Sequence, residues 1–403
     1  MESNRGTYAV ERRIVVKKVV GIMTTSSGWQ GTYRCNYGAA LQGYALIKQL
    51  RLLGYEAYDI NYYSDNEYSP QKYSPIERTL RRLILLTNFK VVHGKLIEIK
   101  NRKGLGILTS KFREFVVKND LTYNQGQFYR IDELRKLSKS MYAVICGSDV
   151  VWNPEMRNNV CDEGYFLNFA SENTRRIAYA PSFGVSELPV EFAQQMAKVL
   201  PTYSGVSVRE TTGKELIKKY CNIDAKVVLD PTLLLPVEEY KEEVVVPDWL
   251  PEKYIAVYQF GSIEHTIKMI KEIQNKTGLP IVRIPARYAD LGKVSFDIGP
   301  GEFLGIIRNA SFVISDSFHC TVFSLLYHSP FLTFYRTRPE PGKDINSRMS
   351  DLLKMVGLEN RLIKPDTKVD FSSLYDIDFG SSDRIISQMR MDSLAYLKNA
   401  LEG

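Results

Sequence analysis

The segment ASFVISDSFHCTVFSLLYHSP contains the residue best suited to proton transfer, His319. The pattern predicts a strand over 312–315, a polar turn and then a helix that begins near His319. An imidazole at a helix start can exchange protons near neutral pH, in a field that favours anions. We therefore interpret His319 as a general acid or base, and the alternative is a structural histidine of the core. Asp316 and Ser317 in the turn either bind substrate or only cap the helix.

Arg209 ends the predicted strand GVSVRE, where it could bind a carboxylate or a phosphate through two parallel hydrogen bonds. The alternative is an ordinary ion pair with a neighbouring acid. Asp230, in the run VVLDPTLLL, either orients this arginine or caps a turn. We predict that Arg209 is catalytic and that Asp230 contributes to substrate binding.

Small polar residues follow two further predicted strands. MYAVICGSDVVWNP ends in Gly147, Ser148 and Asp149, and Ser182 follows RRIAYAP. Open α/β sheets bind ligands beyond the carboxyl ends of their strands. We therefore predict that these four residues contact substrate.

Two predicted helix starts are also candidate binding sites. GTYRCNYG places Asn36 and Gly38 before a helix, and GPGEF places Glu302 in a helical first turn. Exposed N–H groups at a helix start favour an anion or a hydroxyl group. The alternative is that Asn36 caps its helix, Gly38 permits close packing and Glu302 complements the helix dipole. The segment GTYRCNYG matches neither a Walker loop nor a GxGxxG fingerprint.

These residues require an α/β scaffold, which the chain predicts twice. KKVVGIM, AALQGYALIKQLRLLG and EAYDINYY read as strand, helix and strand, a βαβ unit with a parallel sheet. We predict a first domain over 15–200 with a helical insertion at about 64–140. A second α/β domain is predicted over 201–380, and a C-terminal helix over 381–403.

Composition narrows the function classes. The 403 residues carry 53 basic and 46 acidic side chains, a net charge of +7 that fits small anions or a membrane surface as readily as nucleic acid. We predict no nucleic-acid partner. The first residues lack a signal peptide's apolar run, and no stretch is long and apolar enough to span a bilayer. We expect a cytoplasmic protein. The cysteines show no CxxC pair, and HxxxH and EF-hand spacings are missing, so no metal site is predicted.

Six segments in order resemble the polysaccharide pyruvyl transferase family: NYGAALQGYALIKQLRLLGYEAYDINYY, ICGSDVVWNP, IAYAPSFG, VSVRETTG, VVLDPTLLL and ISDSFHCTVFSLLYHSPFLTF. The resemblance implies two Rossmann-like domains facing a cleft, similar to the GT-B glycosyltransferases. The first would be the acceptor side and the second the donor side. It also implies that phosphoenolpyruvate, as donor substrate and without a cofactor, gives its pyruvyl group to two sugar hydroxyls. The product would be a cyclic ketal, with Arg209 and His319 acting on the donor.

The chain departs from some members of that family at one position. Where they have Arg-Leu-His, this chain has Ser317-Phe318-His319, so one arginine expected to bind phosphate is missing. The nearby loops offer candidates to replace it, namely Arg283, Arg287, Arg336 and Arg338.

The resemblance implies a sugar or a lipid-linked oligosaccharide as acceptor, in the synthesis of a cell-surface polysaccharide. The place of action would be the cytoplasm, or the inner face of the membrane if the protein associates with it peripherally. Two other functions stay open. A glycosyltransferase that uses a nucleotide sugar would suit the same cleft, and a non-catalytic protein of a glycan pathway would bind glycan without chemistry.

Overall fold

The computed structural model describes residues 17–25, 35–64, 101–260, 263–286, 294–336, 346–364 and 369–403. Within these ranges the chain forms two parallel sheets with helices packed around them, and a short parallel pair joins 61–62 to 128–129. The prediction of an α/β protein with two Rossmann-like domains is therefore confirmed.

The first sheet has six strands in the order β2-β1-β3-β4-β5-β6, and every neighbouring pair is parallel. The strands are β1 (Val19–Met23), β2 (Glu56–Asp59), β3 (Ala143–Cys146), β4 (Arg175–Ala178), β5 (Gly205–Val208) and β6 (Lys226–Val227). The central strands VVGIM and AVIC are nearly continuous apolar runs. This composition is typical of a parallel sheet covered on both faces.

The second sheet has five parallel strands in the order β8-β7-β9-β10-β11. They are β7 (Ile255–Tyr258), β8 (Ile281–Arg283), β9 (Phe312–Ser315), β10 (Phe331–Phe334) and β11 (Leu362–Ile363). In both sheets the chain reverses its direction of winding beside the first strand, between β1 and β3 and between β7 and β9. Ligands of such sheets bind beyond the carboxyl ends of the strands at this reversal.

The helices connect and cover these strands. They are α1 (Tyr37–Leu52), α2 (Arg102–Lys118), α3 (Ile131–Ser138), α4 (Val190–Val199), α5 (Thr211–Cys221), α6 (Pro231–Leu234), α7 (Ile263–Thr277), α8 (Pro300–Asn309), α9 (Phe318–Leu326), α10 (Ser347–Met355) and α11 (Phe379–Glu402). None of the helices in the described ranges is both long and apolar enough to cross a membrane.

Helix α1 lies between the two sheets and belongs to one hydrophobic core with both. Tyr37 in its first turn stacks on Phe303 of α8 with ring centroids 4.6 Å apart. The Tyr37 hydroxyl donates to the Ile298 carbonyl at 2.8 Å. Buried aromatic contacts of this kind fix the relative position of the elements that carry them.

The C-terminal helix α11 returns to the first sheet. The Tyr396 hydroxyl donates to the Ala178 carbonyl at the end of β4, and Ser393 Oγ accepts from the Leu229 N–H. A helix over 381–403 is therefore present from Phe379, with Asp378 as its N-cap. It joins the end of the chain to the first domain.

Two predicted boundaries need correction. The strands at 205–208 and 226–227 were expected to open the second domain, but both pair into the first sheet. A division between 200 and 201 is therefore wrong, because the second sheet begins at Ile255. The insertion at about 64–140 is helical in α2 and α3 but also contains the strand at 128–129, and residues 65–100 lie outside the described ranges.

Asp59, at the carboxyl end of β2, is buried, and its Oδ1 atom has no hydrogen-bond partner in the described part of the chain. Burial raises the pKa of Asp59 from 3.8 to about 8, against an opposing hydrogen bond from the Ile60 N–H. Between these values the folded chain holds a proton that the unfolded chain has released. The contribution of Asp59 to stability therefore falls as the pH rises through this window.

Asp59→Asn removes this ionisation. We compare the free energy of unfolding of the variant with that of wild type at two pH values. The difference should favour the variant by at least about 1 kcal/mol more at about pH 9 than at about pH 5. Thermal or urea unfolding at both pH values measures the difference. An effect of the same size at both would contradict an ionisable, buried Asp59.

Candidate functional site

The carboxylate of Asp230 lies where the two domains meet. It is the N-cap of α6, and its Oδ1 accepts from the N–H and the hydroxyl of Thr232 at 3.0 and 2.5 Å. Its Oδ2 accepts from Ser148 Oγ at 2.8 Å and from Arg209 Nη1 at 2.9 Å. Pro231 fixes the backbone where the helix begins. The carboxylate is thus held from three directions.

Arg209 enters the site directly after β5. Its side chain is only 3% exposed, and its Nε and Nη2 atoms have no hydrogen-bond partner within the described ranges. The guanidinium carbon lies 4.5 Å from the centre of the Phe318 ring, a cation–π contact. Burial lowers the pKa of Arg209, but the carboxylates of Asp230 and Glu210 outweigh it and hold the group charged. Arg209 is therefore a charged donor with unused N–H groups.

His319 reaches the same carboxylate from the second domain. It lies in the first turn of α9, where Ser317 is the N-cap and accepts from the Cys320 N–H. Its Nε2 atom is 3.6 Å from Asp230 Oδ2 and has no hydrogen-bond partner among the described residues. The imidazole therefore faces a carboxylate and keeps a ring nitrogen available for a proton.

Asp230 stays ionised in this position. Burial raises the pKa of Asp230, but the charges of His319 and Arg209 and the hydrogen bond from Thr232 have a larger, opposite effect. The net result is a pKa well below its usual range. A buried carboxylate needs such partners to remain charged.

Gly38 makes room for the His319 ring. A Cβ atom at this position would lie 2.1 Å from His319 Nδ1, so a side chain here would displace the imidazole. The start of α1 thus touches the site through Gly38. Asn36 is exposed, and its side chain accepts from the Ala39 N–H at 3.3 Å, as a helix cap does.

The loops after β3 and β4 complete the first-domain wall. Thr24 Oγ1 donates to the Ser148 carbonyl at 2.6 Å, and Gly147 packs against the Thr24 side chain. Asp149 has a φ of 78°, and its carbonyl accepts from the Ser182 N–H. Ser182 Oγ donates to Glu210 Oε1 at 2.8 Å, next to Arg209. Gly147, Ser148, Asp149 and Ser182 therefore lie at one edge of the first sheet, as the strand-end pattern indicates.

The second-domain wall carries Asp316 and Arg336. Asp316 Oδ1 accepts from the Phe260 N–H at 2.8 Å, and the Arg336 guanidinium lies 3.4 Å from this carboxylate. Arg336 also lies over the Phe260 ring at 4.7 Å. Four arginines were candidates to replace the arginine that is missing at position 317. Of these, Arg336 lies beside the site. Arg283 makes no hydrogen bond to these groups, and Arg287 and Arg338 lie outside the described residues.

Glu302 has a different role from the predicted one. Its Oε2 accepts from the Gly299 N–H at 2.9 Å, and its Oε1 lies 2.6 Å from Lys111 Nζ. The carboxylate therefore caps α8 and pairs with α2. Neither contact joins it to Asp230, Arg209 or His319, so substrate binding by Glu302 stays a prediction without structural support.

One charged residue near the site escaped sequence reasoning. Arg348 in α10 experiences the charges of Arg209, Arg336, Asp149 and Glu210. The segment SRMSDLLKM begins 13 residues after β10 rather than directly at its end, and it contains no recognisable binding pattern. No signal in the sequence identified it, because its position depends on how α10 docks.

A family profile described as polysaccharide pyruvyl transferase matches residues 36–338, three quarters of the chain. Comparison with curated proteins finds no match. The matched residues include the whole cluster of Ser148, Arg209, Asp230 and His319.

Solved structures resemble the chain weakly. A UDP-GlcNAc 2-epimerase from Methanocaldococcus jannaschii has 11% identity and a TM-score of 0.45, over 92% of this chain and 99% of that chain. A UDP-GlcNAc 2-epimerase from Neisseria meningitidis bound to UDP-GlcNAc has 10% identity and a TM-score of 0.40, over 93% and 100%. The E. coli heptosyltransferase WaaC with ADP-2-deoxy-2-fluoro heptose has 11% identity and a TM-score of 0.33, over 92% and 99%. Similarity at this level says nothing about the ligand of this chain.

Gly38→Ala tests the packing of the imidazole. The added methyl group must displace His319, so we expect a lower Tm and a loss of about 1 to 3 kcal/mol of stability. Gly43→Ala is the matched control in the same helix, because its Cβ would meet its nearest neighbour, Thr24 Cγ2, at 4.0 Å. Alanine there should be neutral or stabilising. Equal Tm values for the two variants would contradict close contact between Gly38 and His319.

Proposed function

Because the chain belongs to the polysaccharide pyruvyl transferase family, we propose that it transfers the pyruvyl group of phosphoenolpyruvate to two hydroxyls of one sugar. The products are a cyclic ketal and inorganic phosphate. The observation that carries the proposal is the meeting of Arg209 and His319 on the Asp230 carboxylate, at 2.9 and 3.6 Å. A group that binds anions and a group that moves protons thus lie together.

The donor carries a phosphate and a carboxylate, and both need cationic partners. The Nε and Nη2 atoms of Arg209 donate no hydrogen bond to any described residue, although Nε lies 3.8 Å from Glu210 Oε2. A guanidinium with N–H groups that make no hydrogen bond can bind a carboxylate or phosphate in a fixed orientation. The N-terminus of α9, behind Ser317, adds a favourable field for the same negative charges. We therefore assign donor binding to Arg209 and to the start of α9.

Proton transfer falls to His319. In the first step, one sugar hydroxyl attacks C2 of the donor, and the methylene carbon gains a proton. The hydroxyl loses its proton in the same step, so the imidazole can take up this proton and donate one to the methylene carbon. In the second step, a second hydroxyl attacks C2 and the C2–O bond to phosphate breaks. Phosphate leaves with the proton released by that hydroxyl, and all atoms balance without an organic cofactor.

Asp230 supports both steps from behind. Its carboxylate stabilises the imidazole whenever it carries an extra proton, and it orients Arg209 through Nη1. Because Asp230 lies between the two sheets, it contacts both the residue proposed to bind the donor and the residue proposed to transfer the proton. The acceptor is proposed to be a sugar of a cell-surface polysaccharide or its lipid-linked precursor, modified in the cytoplasm at or near the membrane.

The test is a transfer assay with phosphoenolpyruvate and a panel of sugars and lipid-linked oligosaccharides. We expect phosphate release that depends on the acceptor, and a product whose mass increases by that of pyruvate less water. Transfer from UDP- or GDP-sugars without transfer from phosphoenolpyruvate would contradict the proposal in favour of a glycosyltransferase. Saturable glycan binding without transfer from either donor would contradict it in favour of a binding protein.

His319→Gln tests the proton-transfer role. We expect kcat for phosphate release to fall about 10²- to 10⁴-fold, while phosphoenolpyruvate binding changes little. The matched control is His328→Gln, because His328 is half exposed and pairs with Asp383 at the surface. That variant should keep wild-type kcat. Near-wild-type turnover of His319→Gln would show that this imidazole does not move the proton.

A further inference from the structure

Helix α10 is fixed to both domains on either side of Arg348. Two residues before it, the Asn346 side chain accepts from the Arg336 N–H at 2.8 Å and donates to the Arg336 carbonyl at 2.9 Å. Three residues after it, Asp351 Oδ2 accepts from the Thr211 N–H at 3.1 Å. Thr211 lies two residues beyond Arg209. Arg348 is therefore held between the two arginines that line the site.

Arg348 is partly buried, and its guanidinium makes no hydrogen bond or ion pair with any described residue. Burial and the nearby charges of Arg209 and Arg336 lower its pKa to about 10, and the more weakly acting Asp149 and Glu210 do not reverse this. An arginine in such surroundings costs stability, because it loses water and meets like charge without gaining a partner.

We propose that Arg348 is an anion-binding residue of the site and contacts the phosphate group of the donor. The identity of the donor rests on the proposed function, whereas the anion site rests on the geometry. Arg209 Nη2 has no hydrogen-bond partner among the described residues, Arg336 lies against Asp316, and Arg348 makes no hydrogen bond with a described residue. A phosphate among them would find cations from both sheets and from α10.

Arg348 also lies outside residues 36–338, the part of the chain that matches the family profile. It belongs to a segment that follows the last matched residue. The site therefore receives a cation from a helix beyond the matched region, in a chain that has Ser317 rather than arginine before Phe318.

Binding of inorganic phosphate, phosphoenolpyruvate and pyruvate to the full chain tests this role by calorimetric titration. We expect Arg348→Gln to weaken phosphate and phosphoenolpyruvate binding about 10- to 100-fold and to leave any pyruvate binding unchanged. Arg348→Lys should retain part of the affinity, because it keeps the charge but loses the forked geometry. Arg308→Gln, an exposed arginine of α8, is the matched control and should bind all three as wild type does.

Stability without ligand separates ligand binding from a structural role. Arg348→Gln should keep or raise Tm, because it removes an unpaired, partly desolvated charge. If Arg348→Gln binds phosphate as tightly as the Arg308→Gln control does, the assignment is overturned. A lower Tm of Arg348→Gln together with that unchanged affinity would show a structural role instead. If phosphate binding weakens as expected but phosphoenolpyruvate is no donor in the transfer assay, the anion site stands and the proposed donor fails.

Discussion

The buried carboxylate of Asp230 is the interaction on which the site depends. One oxygen is held by Thr232 at the start of α6, and the other receives Ser148 and Arg209 and faces His319 at 3.6 Å. A carboxylate without exposed surface stays charged only with such partners, and each partner is in turn fixed by it. Loss of the carboxylate would leave the buried Arg209 only Glu210, whose Oε2 lies 3.8 Å from Arg209 Nε, so the same contact serves stability and chemistry.

The rest of the fold keeps these partners at their distances. Tyr37 of α1 packs into the second domain, and α11 returns to the ends of the first-sheet strands. Helix α10 joins Arg336 to Thr211 across the junction. The position of His319 relative to Asp230 therefore depends on all of these contacts between the domains. The carboxyl ends of the parallel strands carry the site residues, and the packing between the two domains sets the distances between these residues.

Much of the site could be predicted from the sequence, because residues that follow parallel strands converge at one edge. This rule places Ser148, Ser182 and Arg209 together, and the strand-turn-helix pattern identifies His319. Sheet membership was not predictable, since strand and helix alternate through β5 and β6 without marking where one sheet ends. The role of Glu302 depends on Lys111, 191 residues away, and that of Arg348 on how α10 docks. Neither contact leaves a local pattern.

The location of bound phosphoenolpyruvate tests the central claim most directly. A crystal structure of the chain with this ligand should show it at the junction of the sheets, with its phosphate or carboxylate on Arg209 and its methylene carbon beside His319. A ligand bound away from Asp230, or in contact with one sheet alone, would contradict the account.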